Sequence, residues 1–311
     1  MISHRLKGFA FGAIAAASYG LNPLFTLPLY SAGMNVDSVL FYRYFFALLM
    51  MGVLMKLKKQ SFAIKKAELP ILIAMGLLFS SSSLFLFESY NYMDAGIAST
   101  ILFAYPVLVA IIMALFFHER ISVVTMFAII MAFVGISMLY QTDNGTTLNW
   151  IGVLLVFASS LTYAIYIVGV NRSSLASMPT MKLTFYCILF GILIYVVRLD
   201  WCTDLQMVPS PLLWFNVVSL ALFPTIISLT TMTVAIHNIG STPTAILGAL
   251  EPVTALFFGV MVFGEQLTLR IVAGILMILT AVTLIIVAQP LMSLARKHVH
   301  LRHARHFWLR K

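Results

Sequence analysis

The sequence predicts an all-α integral membrane protein whose ten transmembrane helices form two inverted five-helix repeats. Three observations lead there: a composition 61% hydrophobic and only 9% charged over 311 residues, a succession of apolar runs of membrane-crossing length, and a stretch of sequence that recurs at a fixed shift. A chain this apolar exceeds what a water-soluble domain holds in its core.

A hydrocarbon layer of about 30 Å requires about 20 apolar residues of helix. Runs of that order cover residues 7–30, 38–57, 69–91, 96–117, 122–140, 150–170, 180–197, 212–236, 243–263 and 269–288. The period-two alternation of a membrane barrel is absent. The start, basic and then apolar, resembles a secretory signal, but its apolar run continues well past Ala17 and reads as the first span. Cys187 falls inside the seventh run and Cys202 in the loop after it, which provides neither a disulfide framework nor a thiolate metal site.

Orientation follows from the basic residues. With the N-terminus in the cytoplasm, 16 of the 19 Lys and Arg residues fall on the cytoplasmic side, Arg198 and Arg270 outside, and Arg43 within the membrane. An even number of spans with both termini cytoplasmic satisfies the positive-inside rule. The net charge of +9 is therefore a topology signal, and no aromatic-interleaved basic groove for nucleic acid accompanies it. The expected location is a bacterial cytoplasmic membrane, crossed many times. The tail, residues 289–311, carries six basic residues and His298, His300, His303 and His306; it reads as a segment for anionic lipid headgroups, not as a metal site.

A shift of 146 residues lays AYPVLVAIIMALFFHERIS (104–122) on LEPVTALFFGVMVFGEQLT (250–268) without a gap, pairing Pro106 with Pro252 and Glu119 with Glu265. A shift of 144 lays Ser18 and Tyr19 on Thr162 and Tyr163. Five spans per copy is an odd number, so the second copy enters the membrane from the opposite face. Inverted repeats of this kind mark transporters, with the substrate site at the repeat interface near the midplane.

With Arg43 early in the second span, Pro106 with Glu119 in the fourth, and Pro252 with Glu265 in the ninth, the chain resembles the EamA-like family of the drug/metabolite transporter superfamily. The resemblance covers about residues 7–288 and implies two five-helix repeats, 7–140 and 150–288, followed by the basic tail. It also implies secondary transport of small polar or amphipathic metabolites, often export of amino acids, through a cavity between several helices. Tyr105 stands where the second copy has Glu251, so a carboxylate role would be asymmetric.

The polar residues inside the spans are the candidate site. Ser18, Asn22 and Thr26 recur every four residues in the first span, among Pro23 and Pro28; such a stripe either lines a cavity or bonds to a neighbouring helix. Gly8, Gly12, Ala16 and Gly20 form a small-residue face expected to serve close packing. Ser159, Tyr163 and Tyr166 share a face of the sixth span, where the tyrosines either stack on substrate or fill the bundle. The serines at 80–83 are expected to bond back to their own helix. Arg43 and Glu88 lie at similar depth and could pair; the alternative is that Arg43 meets an anionic substrate group while Glu88 turns outward.

Glu251 is the strongest candidate. It sits eight residues into its span, near the midplane, where an ionised carboxylate is most costly. Pro252 supplies no amide donor, so the Gly248 carbonyl is expected to be free, with Thr244 on about the same face. The expected role of Glu251 is to hold a cationic substrate group or a coupling proton; the structural alternative is a neutral side chain bonded to a neighbouring helix. With Tyr105, Pro106, Pro252, Arg43, Asn22, Ser18, Tyr163 and Tyr166 it completes the expected substrate site.

No G-x-x-x-x-G-K-[ST] loop for an ATP-driven pump occurs, and His118-Glu119 lacks the second histidine of a membrane metalloprotease. No cofactor is expected, and the partners are a small-molecule substrate and the lipid bilayer. A non-transporting receptor or assembly component is the alternative, distinguished by whether the repeat interface is hydrated and reachable from each side in turn.

Overall fold

The computed structural model describes residues 2–118, 123–140, 149–240, 244 and 246–287; Glu119, Arg120 and the basic tail lie outside the described residues. Every regular element among them is helical. Eight helical stretches are long and apolar enough to cross a membrane, and two apolar helices, near 123–140 and 250–263, are shorter. The protein is a multi-pass membrane protein; of the ten full-length spans expected, eight are long enough to cross among the described residues, and the other two runs hold the shorter helices.

Proline is the reason that several spans are not single rods. The first is α1 (Ile2–Gly20) and α2 (Asn22–Ser31), broken at Leu21 just before Pro23. The next two, α3 (Val36–Leu57) and α4 (Leu69–Ser89), are continuous. The fourth divides into α5 (Ala95–Leu102) and α6 (Tyr105–Phe117) ahead of Pro106. After α7 (Val123–Tyr140), α8 (Trp150–Arg172) and α9 (Thr180–Arg198), the eighth span is α10 (Pro211–Ala221), a π-turn over Leu222–Ile227 around Pro224, and α11 (Ser228–Ile239). In the ninth, Thr244 and residues 246–247 are helical, a turn follows at 248–249, and helix α12 runs from Leu250 to Phe263; α13 covers Leu269–Val287. A proline has no amide to give to the carbonyl four residues back and its ring crowds that carbonyl, so the helix stops or widens just before it.

The chain supplies the missing donors from elsewhere. Pro23 leaves the Tyr19 carbonyl without its amide, and the Asn22 side chain donates to that oxygen at 2.9 Å. Pro106 leaves the Leu102 carbonyl, and the Ser160 hydroxyl of α8 donates to it at 2.8 Å. At Pro252 the backbone tightens instead: the Glu251 amide donates to the Gly248 carbonyl at 2.9 Å. The expected free carbonyl at Gly248 is therefore occupied, because a three-residue turn replaces the helical bond that Pro252 removes.

One backbone feature recurs at the 146-residue spacing seen in the sequence. His118 and Gly264, 146 residues apart, both end their helices in the left-handed region, at φ 52° and 71°, and bond back to Met113 and Gly259, the same distance apart.

Packing sets α1 against α11 and α12, α4 against α8 and α9, and α5 against α12 and α8. Fully buried Tyr44 and Tyr195 meet edge to face at 4.9 Å in the interior between α3, α4 and α9. Ser82 and Ser159 cross-link α4 to α8, each hydroxyl bonding the other's carbonyl at 3.0 and 2.7 Å. The Tyr44 and Ser83 hydroxyls are 2.9 Å apart, and Tyr195 donates to the Ser80 carbonyl at 2.9 Å. The serine run thus braces three helices; Ser83 also bonds back to Phe79, as expected of all four. At one end of the bundle Arg198 grips Asp37 at 2.6 and 3.1 Å. Beside it, Gln206 donates its amide to Ser38 and accepts from the Tyr42 hydroxyl, which ties the loop after α9 to the start of α3.

Candidate functional site

Between the broken helices lies a cavity of about 140 Å³ that both halves of the chain line. Arg43 of α3 and Glu251 of α12 supply its two charged groups among the described residues. Tyr19, Tyr105 and Tyr163 provide aromatic walls, and Thr244 a hydroxyl.

Glu251 reaches the cavity because the tight turn at Gly248 and Ala249 starts α12 one residue before it. Its backbone is held by α1: a Cβ at Gly20 would stand 2.4 Å from the Glu251 carbonyl oxygen, so glycine is needed for that approach. The side chain is half-buried, turned toward the cavity. The Thr244 hydroxyl donates to the Gly240 carbonyl at 2.7 Å, so it faces the cavity as an acceptor.

Arg43 is buried, 5% exposed. Its guanidinium lies 5.1 Å from the centre of the Phe87 ring, a cation–π contact, and beside the Tyr19 hydroxyl. Tyr19 in turn is within electrostatic reach of Glu251. No ion pair joins Arg43 to Glu251 or to Glu88 among the described residues. Of the two arrangements expected, the pairing of Arg43 with Glu88 is not formed among the described residues: Phe87 turns its ring to Arg43, and Glu88, the next residue round the helix, accepts from the Asn91 side chain at 3.2 Å.

The tyrosines form one aromatic assembly. Tyr105 and Tyr163 meet edge to face at 4.8 Å, and Tyr163 stacks on Tyr166 at 5.8 Å. Tyr166 stands behind the wall, packed on Phe79 at 5.4 Å. Pro106 and Pro252 shape the walls without lining them. Ser18 and Asn22 are buried away from the cavity lining; the stripe they form with Thr26 faces protein. Sequence reasoning passed over Tyr19, although the 144-residue shift matches it to Tyr163; one residue along a helix is a 100° turn, which separates Tyr19 from the stripe beginning at Ser18.

A second polar centre lies outside the spans, in the turn between α12 and α13. The Glu265 carboxylate accepts from the backbone amides of Ala95 (2.8 Å) and Gly96 (3.2 Å), capping the start of α5. It occupies a slot between Gly96 and Gly259, at either of which a Cβ would fall within 2.6 Å of it. Burial pushes its carboxyl up to about 7, with nearby Asp94 adding to the rise and the Gly96 and Ala95 amides opposing it.

Comparison with known proteins agrees with this architecture. The chain is similar to an "Uncharacterized transporter" of Archaeoglobus fulgidus, 27% identical over 72% of this chain and 79% of the relative. It is also similar to the "Uncharacterized transporter YvbV" of Bacillus subtilis, 21% identical over 63% and 64%. A crystal structure sharing 18% identity superposes with a TM-score of 0.62 over 91% of this chain and 96% of that one, which shows a common fold. The model of the EamA-like transporter family matches twice, at residues 6–141 and 150–287, and the chain belongs to that family.

Proposed function

We propose that the protein is a secondary transporter that exports a small zwitterionic metabolite, of the amino-acid kind, across a bacterial cytoplasmic membrane in exchange for a proton. The observation that carries this reading is the presence of Arg43 and Glu251 in one cavity, opposite in charge and not paired with each other. A carboxylate on the substrate completes Arg43, and an ammonium group completes Glu251. The tyrosines between them hold the substrate's apolar surface. Charge-assisted bonds of this sort contribute about 1.5–3 kcal/mol each, which suits a site that must also release its cargo.

Glu251 holds either the substrate's ammonium group or a proton. That exclusivity is what exchange requires: the carrier returns with a proton when it has released substrate on the far side. Ten spans as two inverted repeats, with both termini cytoplasmic, give the alternating access, and the breaks at Leu21, 103–104 and 248–249 are the natural hinges beside the site. The serine braces between α4 and α8 offer a rigid element against which α1 and α12 can move.

The test is counterflow in proteoliposomes containing the purified protein, using a panel of amino acids, simple amines and simple carboxylic acids. Compounds with both charged groups should be carried, and those with one should not. Transport of amines or carboxylic acids as well as of amino acids would overturn the zwitterion reading; transport of none of the panel would favour the receptor alternative.

A further inference from the structure

Beside the central cavity lies a smaller chamber of about 50 Å³. The two share Arg43, Tyr19, Phe79, Tyr163 and Leu229 as a common wall. Beyond that wall the chamber is lined by Ala47 of α3, Ile188 of α9, and Pro224 and Thr225 of the eighth span. The π-turn over Leu222–Ile227 makes this wall. Pro224 cannot donate to the carbonyl four residues back, and the widened turn that accommodates it displaces the backbone from the helical course. Turns of this type are frequent at functional sites.

We propose that this chamber receives the side chain of the substrate, and that Ala47 and Thr225 determine which side chains are accepted. The inference rests on the zwitterion reading above. A carboxylate held on Arg43 places the carbon next to it against the common wall, since Arg43 faces both spaces. One water-sized occupant takes about 10–15 Å³ of such volume, so the chamber admits about four heavy atoms and the main cavity about ten. The walls at Ala47, Ile188, Leu229 and Phe79 are apolar, and Tyr44, which also lines the chamber, has its hydroxyl already engaged by Ser83. Aliphatic side chains of the size of valine or leucine match this space. Glycine leaves it empty, phenylalanine exceeds it, lysine would bring a second positive charge beside Arg43, and glutamate would set two carboxylates in competition for that one guanidinium. Thr225, 6% exposed, adds the polar atom on its far wall.

The experiment is counterflow in proteoliposomes with glycine, alanine, valine, leucine, phenylalanine, lysine and glutamate as probes, for the wild type, Ala47→Leu and Thr225→Ala. The wild type should favour valine and leucine. Ala47→Leu should lower the leucine rate relative to alanine by at least about tenfold, the scale of a misfit methylene group, while retained alanine transport reports a folded carrier. Thr225→Ala should raise phenylalanine relative to leucine. Should Ala47→Leu be inactive toward every probe, the leucine-to-alanine ratio is read in Ala47→Val, where a smaller fall in the same direction is expected. Unchanged ratios in the active variants, or equal wild-type rates for leucine, phenylalanine and lysine, would overturn the chamber's role while leaving the zwitterion reading intact. A wild type that carries none of the probes would overturn both.

Discussion

Asn22 donates its side-chain amide to the Tyr19 carbonyl at 2.9 Å, the oxygen that Pro23 leaves without a helical donor. Asn22 is 3% exposed, so water cannot take its place. The residue therefore holds together the break that positions Tyr19 at the cavity. Asn22→Ala should strand a buried carbonyl and cost about 1–3 kcal/mol. The expected result is a clear fall in Tm of the purified protein in detergent, with substrate selectivity unchanged. A normal Tm with altered selectivity would instead return Asn22 to the substrate.

Ser160 and Pro106 should be thermodynamically coupled. Ser160→Ala removes the donor to Leu102 and should destabilise by about the same 1–3 kcal/mol. Pro106→Ala restores an amide able to donate to that oxygen, so the Ser160→Ala penalty should fall by more than half in the Pro106→Ala background. A double-mutant cycle on unfolding measures this; strictly additive penalties would show that the hydroxyl does not replace the proline's missing donor.

Glu265 should give the protein a pH-dependent stability with a defined sign. Its folded carboxyl titrates at about 7 against an ordinary value of 4.5, so between those values the folded state binds more protons than the unfolded one. Stability from this group is fully present below about 4.5 and is lost as pH rises through about 7. Burial also raises the Asp94 carboxyl, so Asp94 contributes in the same direction. Comparing Tm from pH 5 to pH 8, Glu265→Gln should show a shallower fall than wild type. An equal or steeper fall would remove Glu265 as its source.

Arg43 and Glu88 should behave independently. Glu88→Gln is expected to leave transport and yield near wild type, and exchanging the two side chains should not rescue Arg43→Ala. Arg43→Ala itself should keep its yield and lose about 10- to 150-fold in transport, equivalent to one charged hydrogen bond of about 1.5–3 kcal/mol. Recovery of yield in the Arg43→Glu, Glu88→Arg variant would show a structural pair after all.

What could be read in the sequence was whatever depends on composition, proline and spacing. The apolar runs marked the helices, and Pro23 and Pro252 marked backbone carbonyls that lose their helical donor, whereas the breaks themselves were not read from the runs. The 146-residue shift extends to the left-handed ends at His118 and Gly264, although only the glycine advertises that conformation. Hydrogen-bond partners were harder, because serine and asparagine bond equally well to their own helix, to another helix or to a ligand. Ser82 and Asn22 differ in outcome only through which backbone lies within 3 Å. The choice between the two readings of Arg43, paired with Glu88 or turned to the substrate, was open for a related reason: depth is legible from residue number, whereas the side of a helix that faces a given neighbour depends on packing. The side chamber was invisible, since a π-turn at Pro224 has no signature that distinguishes it from an ordinary kink.

The central claim is that Glu251 binds the substrate's ammonium group or a proton in alternation. Glu251→Gln keeps the side chain's size and its hydrogen-bonding ability but removes its charge and its titration. The decisive measurement is amino-acid counterflow and proton-driven efflux in proteoliposomes over pH 5 to 9, for wild type and Glu251→Gln at equal reconstituted amounts. PH-dependent efflux in the wild type, with little transport or pH-independent transport in a folded Glu251→Gln, is the predicted result; wild-type rates with the wild-type pH dependence in that variant would contradict it.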